Sequence, residues 1–488
     1  MSNNVLKKAA IAAVVIGAAY VGASWWLGQQ VETRYQALLD RAATQFGADK
    51  FAERRYERGL FGAQSTVVLQ FNLPPLPDDG EEEDTTDAAP PARVLRITLQ
   101  DDIRHGPLAG LRPAAARIRT RVTQVEGLDD DTRQAFAKAS APEFDTLVGF
   151  GGDYAGRMLL PAGEMTDPQQ PGTRGVWQAL TYDYTLAADG RRLTGTLHWP
   201  QASFEALEPA EEEEDGQPAQ APGAMKMRLD ALKASFDMTP ADDQWLMAPG
   251  KGSGTIGTLE MTQRTPGQTA FEPLMLMRDI QMETETTQAD GLVNAVYRGH
   301  GQGSLGGIEL KEMRYESQLR RLDAQALGTA QKLLMQWVSA PKAGEAGVPS
   351  EAVEAMARRL LDAKPEYRDS FSASTADGQA GQFGYGLAVA ELPPERAQAL
   401  ALAGMPWQLA AMQRVRFDAD LRLPKAWLPM LQRLMNSPDM SAEDMTGMAQ
   451  GFVEQGWLRE EGDAYLARAE FGAGRLLLNG QPFMAGGR

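Results

Sequence analysis

The sequence predicts an α+β fold: a single N-terminal transmembrane helix, then a large, mainly antiparallel β-sheet region, with helices segregated toward the C-terminal half. Three observations carry that reading. Ala9–Gly28 runs for 20 residues without a charge. Further on, apolar residues recur at every second position over most of the chain, the alternation of antiparallel strands with one buried face. Helical spacing returns only in a few late segments, which interrupt the strands rather than alternate with them.

As a helix, the uncharged run would span about 30 Å, the thickness of a bilayer's hydrocarbon core. Lys7 and Lys8 precede it, which favours a cytoplasmic N-terminus and places the bulk of the chain outside the cytoplasm. Trp25 and Trp26 stand at its outer end, where interfacial aromatic anchors sit. A cleaved signal peptide would use the same basic start, Ala9–Ala19 as its apolar core and Val21-Gly22-Ala23 as its cleavage site. Continuation of the run through the tryptophans favours a retained signal-anchor. Residues 1–28 are thus the membrane anchor or signal segment.

Residues 29–63 follow as a juxtamembrane helix and a first strand. Val31, Tyr35, Leu38, Ala42 and Phe46 give the helix its apolar stripe. Residues 64–323 form the β-rich region. Val67, Leu69, Phe71 and Leu73 alternate, as do Leu95, Ile97 and Leu99, then Ala116, Ile118, Thr120 and Val122. A hairpin is expected where Tyr182, Tyr184 and Leu186 reach Asp189-Gly190 and continue as Leu193, Gly195, Leu197 and Trp199. Residues 324–365 are a helical segment, marked by Leu327, Ala330, Leu334 and Trp337, then Val353, Met356, Leu360 and Leu361.

In the last region, 366–488, strands and helices mix. Phe383–Val389 follows an Asp377-Gly378 turn, Val415–Leu423 alternates, and Leu476 and Leu478 lead into Asn479-Gly480. Trp427, Leu431, Leu434 and Met435 mark one helix there. Ser441 and Asp444 could cap another, with Met445, Met448, Phe452 and Val453 on its inner face. Leu197 and Phe417 are expected in the core.

Composition narrows the chemistry. The 488 residues carry 65 acids against 48 bases, a net charge of −17, which disfavours nonspecific nucleic-acid binding. Two Pro-rich inserts, 74–92 and 205–223, hold seven acids each and no base. They are expected to be disordered loops, since they lack the apolar residues needed to offset chain entropy. No cysteine is present, which excludes disulfides, thiolate metal sites and thiol nucleophiles. His105, His198 and His300 lie far apart and form no metal-ligand motif.

Gly252–Gly257 and Gly301–Gly306 both match G-x-G-x-x-G, but strand-like sequence follows each where a dinucleotide site needs a helix. The glycines are expected in turns between strands. No nucleophile elbow occurs, and no cofactor is expected.

Two short segments stand out as structural or interaction motifs. In Tyr56-Glu57-Arg58-Gly59-Leu60-Phe61, Tyr56 and Arg58 share one face of an extended chain, suited to an anion or headgroup near the membrane. The plainer reading pairs Arg58 with an acid and sends Leu60 and Phe61 into the core. In His105-Gly106-Pro107, Gly-Pro ends a strand and His105 fastens the turn by a hydrogen bond.

These pieces, taken in order, resemble the YdgA-like family of Gram-negative envelope proteins. The resemblance rests on Gly28-Gln29-Gln30-Val31-Glu32-Thr33, the Tyr56–Phe61 segment, Ile103–Leu108 and Gly149-Phe150-Gly151-Gly152-Asp153. Near the end it continues with Phe417–Pro424 and Leu476–Gln481. It implies an inner-membrane-anchored, mostly periplasmic protein and carries no catalytic residues.

The expectation is a non-enzymatic cell-envelope protein, bound to the lipid bilayer through residues 9–28, with an envelope protein or phospholipid as partner. The alternative is lipid handling in an apolar β-sheet groove, similar in architecture to the AsmA-like group. A hydrolase built on dispersed carboxylates ranks below both.

Overall fold

The computed structural model describes residues 3–73, 93–170, 172–207, 223–240, 244–339, 350–395, 398–399, 407–435, 441–472 and 474–483. Nearly all of the two acidic inserts lies outside them. The second insert starts later than its composition suggests, because Glu205–Leu207 complete a strand.

The chain opens with helix α1 (Asn3–Phe46). Then come β1 (Phe51–Arg58), β2 (Gly62–Leu73), β3 (Arg93–His105), β4 (Ala116–Glu126), β5 (Glu143–Val148), β6 (Tyr154–Leu160) and β7 (Gly163–Thr166). Next are β8 (Arg174–Trp177), β9 (Leu180–Leu186), β10 (Leu193–Leu207), β11 (Ala224–Met238), β12 (Gly250–Arg264) and β13 (Glu272–Ala289). β14 (Leu292–Leu305), β15 (Ile308–Asp323), β16 (Glu366–Thr375), β17 (Ala380–Val389) and β18 (Val415–Pro424) follow. β19 (Arg459–Glu461), β20 (Ala464–Gly472), β21 (Arg475–Leu478) and β22 (Gln481–Pro482) close the list. Every pairing whose register is described is antiparallel, as the alternation predicts.

The chain divides into two compact units. The first comprises residues 1–169, 178–197 and 329–353. Its sheet is a meander in which β1, β2, β3, β4, β5, β6 and β9 are successive neighbours. The expected hairpin follows: Ala187 N–H donates to Arg192 O, and Gly190 takes φ 71° in the turn.

Two expectations about α1 change. It is one continuous helix of 44 residues, with no break between anchor and juxtamembrane parts. Its inner stripe is Leu27, Val31, Tyr35, Leu39 and Ala43, of which Val31, Tyr35 and Leu39 pack with Ala63, Ile103, Ala116 and Val148, whereas Leu38 is exposed. A four-residue step advances about 40° around the helix, so this stripe winds about 160° from Leu27 to Ala43 rather than following one line along the helix. Among the described residues no helix is long and apolar enough to cross a membrane, so the expected transmembrane helix stands here only as a helix. The side chains of residues 3–14, which include the first part of the uncharged run, lie outside those described.

The second unit comprises residues 170–177, 198–328 and 354–488. Its strands β11 through β18 pair in chain order, and β20 follows on β18. The expected turns occur at Gly378, with φ 87°, and at Asn479-Gly480, both with positive φ. Ser441 and Asp444 form the expected capping box of the helix Ala442–Glu454.

The G-x-G-x-x-G glycines lie mostly inside β12 and β14 rather than in turns. Only Gly306, with Gly307, makes a turn, between β14 and β15. Gly252 is a close-approach position, where a Cβ would stand 2.8 Å from the Thr284 methyl group. Leu197 and Phe417 are half-buried rather than core.

Candidate functional site

The singled-out motif residues of the first unit converge on α1. Arg58 Nη1 donates to Glu32 Oε2 at 2.8 Å, the expected acid partner, supplied by the helix. The Tyr56 ring packs on Tyr35 with centroids 5.5 Å apart. Burial and the Glu32 carboxylate push the Tyr56 phenol up to about 12, against the pull of Arg58. Leu60 and Phe61 do not enter the core: they are 47% and 45% exposed, on the turn between β1 and β2. The Phe61 ring lies 6.1 Å from that of Tyr20.

His105 is buried at the end of β3 and fastens the helix rather than its own turn. Its Nδ1–H donates to the Ser24 carbonyl at 3.1 Å, and its Nε2 has no hydrogen-bond partner. The approach is close enough that a Cβ on Gly28 would stand 2.5 Å from His105 Cε1. Gly106, at φ 131°, faces Ser24 and Tyr20 in the same way. Together, Gly28 and His105-Gly106 form a seat in which the His105 ring lies against the helix at Gly28 and the Ser24 side chain against the strand end at Gly106. Pro107 follows in the loop to β4.

Under the middle of α1 lies a polar row of which the sequence motifs announce only Tyr56. Tyr56, Ser65, Asp101 and Thr120 are cross-strand neighbours on β1 to β4. Tyr35 reaches down from the helix, its hydroxyl 2.9 Å from Ser65 Oγ and donating to Asp101 Oδ2. Thr120 donates to the other Asp101 oxygen. Asp101 is only 4% exposed, and burial pushes its pKa up against the two hydrogen bonds. Burial and the neighbouring carboxylate also push the Tyr35 phenol well above its ordinary value.

The second unit holds a different arrangement. One face of β14 to β18 is charged, with pairs such as Arg368–Asp418 and Arg298–Glu316. The other presents Tyr297, Tyr315, Phe371, Tyr367, Phe383, Tyr385, Leu387 and Phe417. Trp427, Met430 and Leu431 cover part of it, packing on Leu310, Met313 and Ala373. Phe383 and Leu387 stay 46% exposed.

Within this face Tyr315 donates to Asp369 Oδ1 at 3.0 Å, and Tyr385 and Tyr367 donate to Oδ2. Burial pushes the Asp369 pKa up, but hydrogen bonds from Tyr367, Ser317, Tyr385 and Tyr315 together hold it below the usual carboxylate range. The sequence signal for this cluster was the recurrence of tyrosine on the apolar phase of successive strands. Pairing those strands requires register that alternation alone does not supply.

Among the described residues no group of three or more His, Asp or Glu could hold a metal ion. His198 and His300 are both exposed on strands. No curated protein and no solved structure matches the chain. A bacterial family of unknown function, DUF945, matches it over residues 6–485, and the chain belongs to that family.

Proposed function

We propose that this is a non-enzymatic, membrane-anchored cell-envelope protein whose β-rich units bind or scaffold another envelope component. In this reading the N-terminus is cytoplasmic, the bulk periplasmic, and the inner-membrane placement is the one implied by the YdgA-like resemblance. The observation that carries the proposal is the division of α1. From Ser24 onward the helix is buried on one side against the first unit, whereas Val15, Ile16, Gly17, Ala18 and Ala19 are exposed all round. Apolar residues around a helix's whole circumference suit a lipid surrounding better than water. Lys7 and Lys8 precede this stretch as a positive flank.

Alkaline carbonate extraction of cell membranes tests the anchor, with retention in the pellet expected. A reporter enzyme fused at the C-terminus and active only in the cytosol tests the orientation, with no activity expected. Release into the extract, or an active cytosolic reporter, would reject the proposal.

The partly uncovered apolar face of the second unit favours one further reading, lipid handling. Phe383 and Leu387 at its open part could lie along an acyl chain. Co-purifying phospholipid, detected by mass spectrometry after mild purification, is the expected sign. A lipid-free extract would count against this reading.

A further inference from the structure

We infer that the loop end of the first unit's sheet, where α1 leaves it, is partly immersed in the membrane interface. This inference rests on the anchor reading and goes beyond it by naming a second lipid-contacting surface.

Topology puts the surface at one end. In a meander, the β1–β2, β3–β4 and β5–β6 connections all fall at the same end of the sheet. That end carries Leu60, Phe61, Leu108, Leu111 and Phe150, from 45% to 91% exposed. The β3–β4 loop is built to present its share. Ala109, Ala114 and Ala115 are buried, and Ala115 N–H donates to Val148 O. Between these fixed points Leu111 holds φ 68° and is 91% exposed. A non-glycine residue in the left-handed region is strained, and here the strained residue is the most exposed leucine of the rim.

The helix serves as a ruler. Its uncharged run reaches Gly28, but Ser24, Leu27 and Gly28 are buried against the sheet. On the sheet side only Ala9–Ala23 remains for lipid, about 22 Å against the ~30 Å of a hydrocarbon core. On the other side Trp25 and Trp26 are 50% and 56% exposed and extend the apolar surface. Tyr20, which meets Phe61, lies about 8 Å nearer the membrane centre along the helix than these tryptophans. If Trp25 and Trp26 mark the interface, the Leu60-Phe61 turn and the Leu108–Leu111 loop must already be within it. Immersion of about 5–10 Å is the ordinary depth of interfacial apolar groups, and it offsets the short span.

Charge agrees with this orientation. The loop end carries Arg112, Arg191 and Arg192 against Asp153 and Asp189. The β2–β3 connection, which leaves the sheet at the opposite end, has seven acids and no base. An anionic lipid surface would attract the first end and repel the second.

The lack of native cysteine allows a clean test on the full chain. Single variants Leu111→Cys, Phe150→Cys, Val15→Cys and Ala137→Cys would each carry an environment-sensitive fluorophore. The protein is reconstituted into vesicles of equal phosphatidylethanolamine and phosphatidylglycerol, with and without lipids spin-labelled near the top of the acyl chain. The expected result is blue-shifted emission and quenching by the spin-labelled lipid at positions 15, 111 and 150, and neither at 137. A lipid signal at 15 with water-like emission at 111 and 150 would overturn the immersed rim and leave the anchor standing. A blue shift at 111 and 150 without quenching would mean a protein contact and overturn it too. Water-like emission at 15 would overturn both readings.

Discussion

The two units place the same chemistry, one aspartate among tyrosine hydroxyls, in opposite surroundings. Beneath α1, Asp101 accepts from Tyr35 and Thr120 and is 4% exposed, and burial wins: its pKa is raised. On the second unit's open face, burial also pushes Asp369 up, but four hydroxyl donors outweigh it and its pKa is lowered. The difference teaches that donated hydrogen bonds pull a carboxylate's pKa down in both places, while the depth of burial sets the net sign. The covering helix removes water from Asp101, whereas Asp369 keeps enough of it for hydrogen bonds to decide. Packing follows the same division: the first sheet is sealed along α1, and the second stays partly bare.

The largest expected effect tests that packing difference. Ile103 is 0% exposed under α1, and Ile103→Ala should destabilise the first unit by about 2–5 kcal/mol. Leu387→Ala, at a side chain 46% exposed, should cost under about 1 kcal/mol. Chemical denaturation of the two variants checks both, and equal losses would break the comparison.

Next in size is the helix seat. Gly28→Val puts carbon where the His105 ring lies, and overpacking of this kind costs about 1–3 kcal/mol. Increased amide hydrogen exchange in α1 and β3, but not in the second unit, would locate the effect.

Of similar size in the first unit is the loss of one hydroxyl. Tyr35→Phe leaves a buried carboxylate oxygen without a donor and should cost about 1–3 kcal/mol. Tyr385→Phe leaves Asp369 its other donors and some water, so a change within about 0.5 kcal/mol is expected. Thermal unfolding of each variant beside the parent chain measures the pair.

The smallest effect is the difference in pH dependence. Asp101 has a folded pKa above its unfolded value, so its contribution is full at low pH and lost as pH rises through the folded pKa. Asp369 has a folded pKa below its unfolded value, so its contribution is present above the ordinary carboxylate range and lost as pH falls. Asp101→Asn should therefore remove a component that declines with rising pH, and Asp369→Asn one that declines with falling pH. Unfolding curves from about pH 3 to pH 7, across the carboxylate range, would show slopes changing in opposite directions. Slopes changing in the same direction would remove the contrast.

Local rules carried the strands and turns. Alternation placed Val67, Ile118, Tyr184 and Phe417 on strands because a strand's side chains alternate strictly. Asp189-Gly190, Asp377-Gly378 and Asn479-Gly480 turned where their residues tolerate positive φ. Ser441 and Asp444 capped their helix because the two groups are three residues apart. Much of the helix seat was also visible as motifs, in Gly28, Tyr56, Arg58 and His105-Gly106.

The sequence by itself determined the antiparallel class, the turn positions and the uncharged leading run, all set by neighbours a few residues apart. Only the tertiary structure decided which apolar stripes are covered. Leu38 and Leu60 satisfy the same patterns as Val31 and Ile103, yet the first two are exposed and the others buried. It also decided that Tyr35 meets Asp101, 66 residues away, and that Asp369 gathers three tyrosines from β15, β16 and β17. Periodicity records which side of an element is apolar; what lies against that side depends on register and on distant elements, and register is set by the whole sheet.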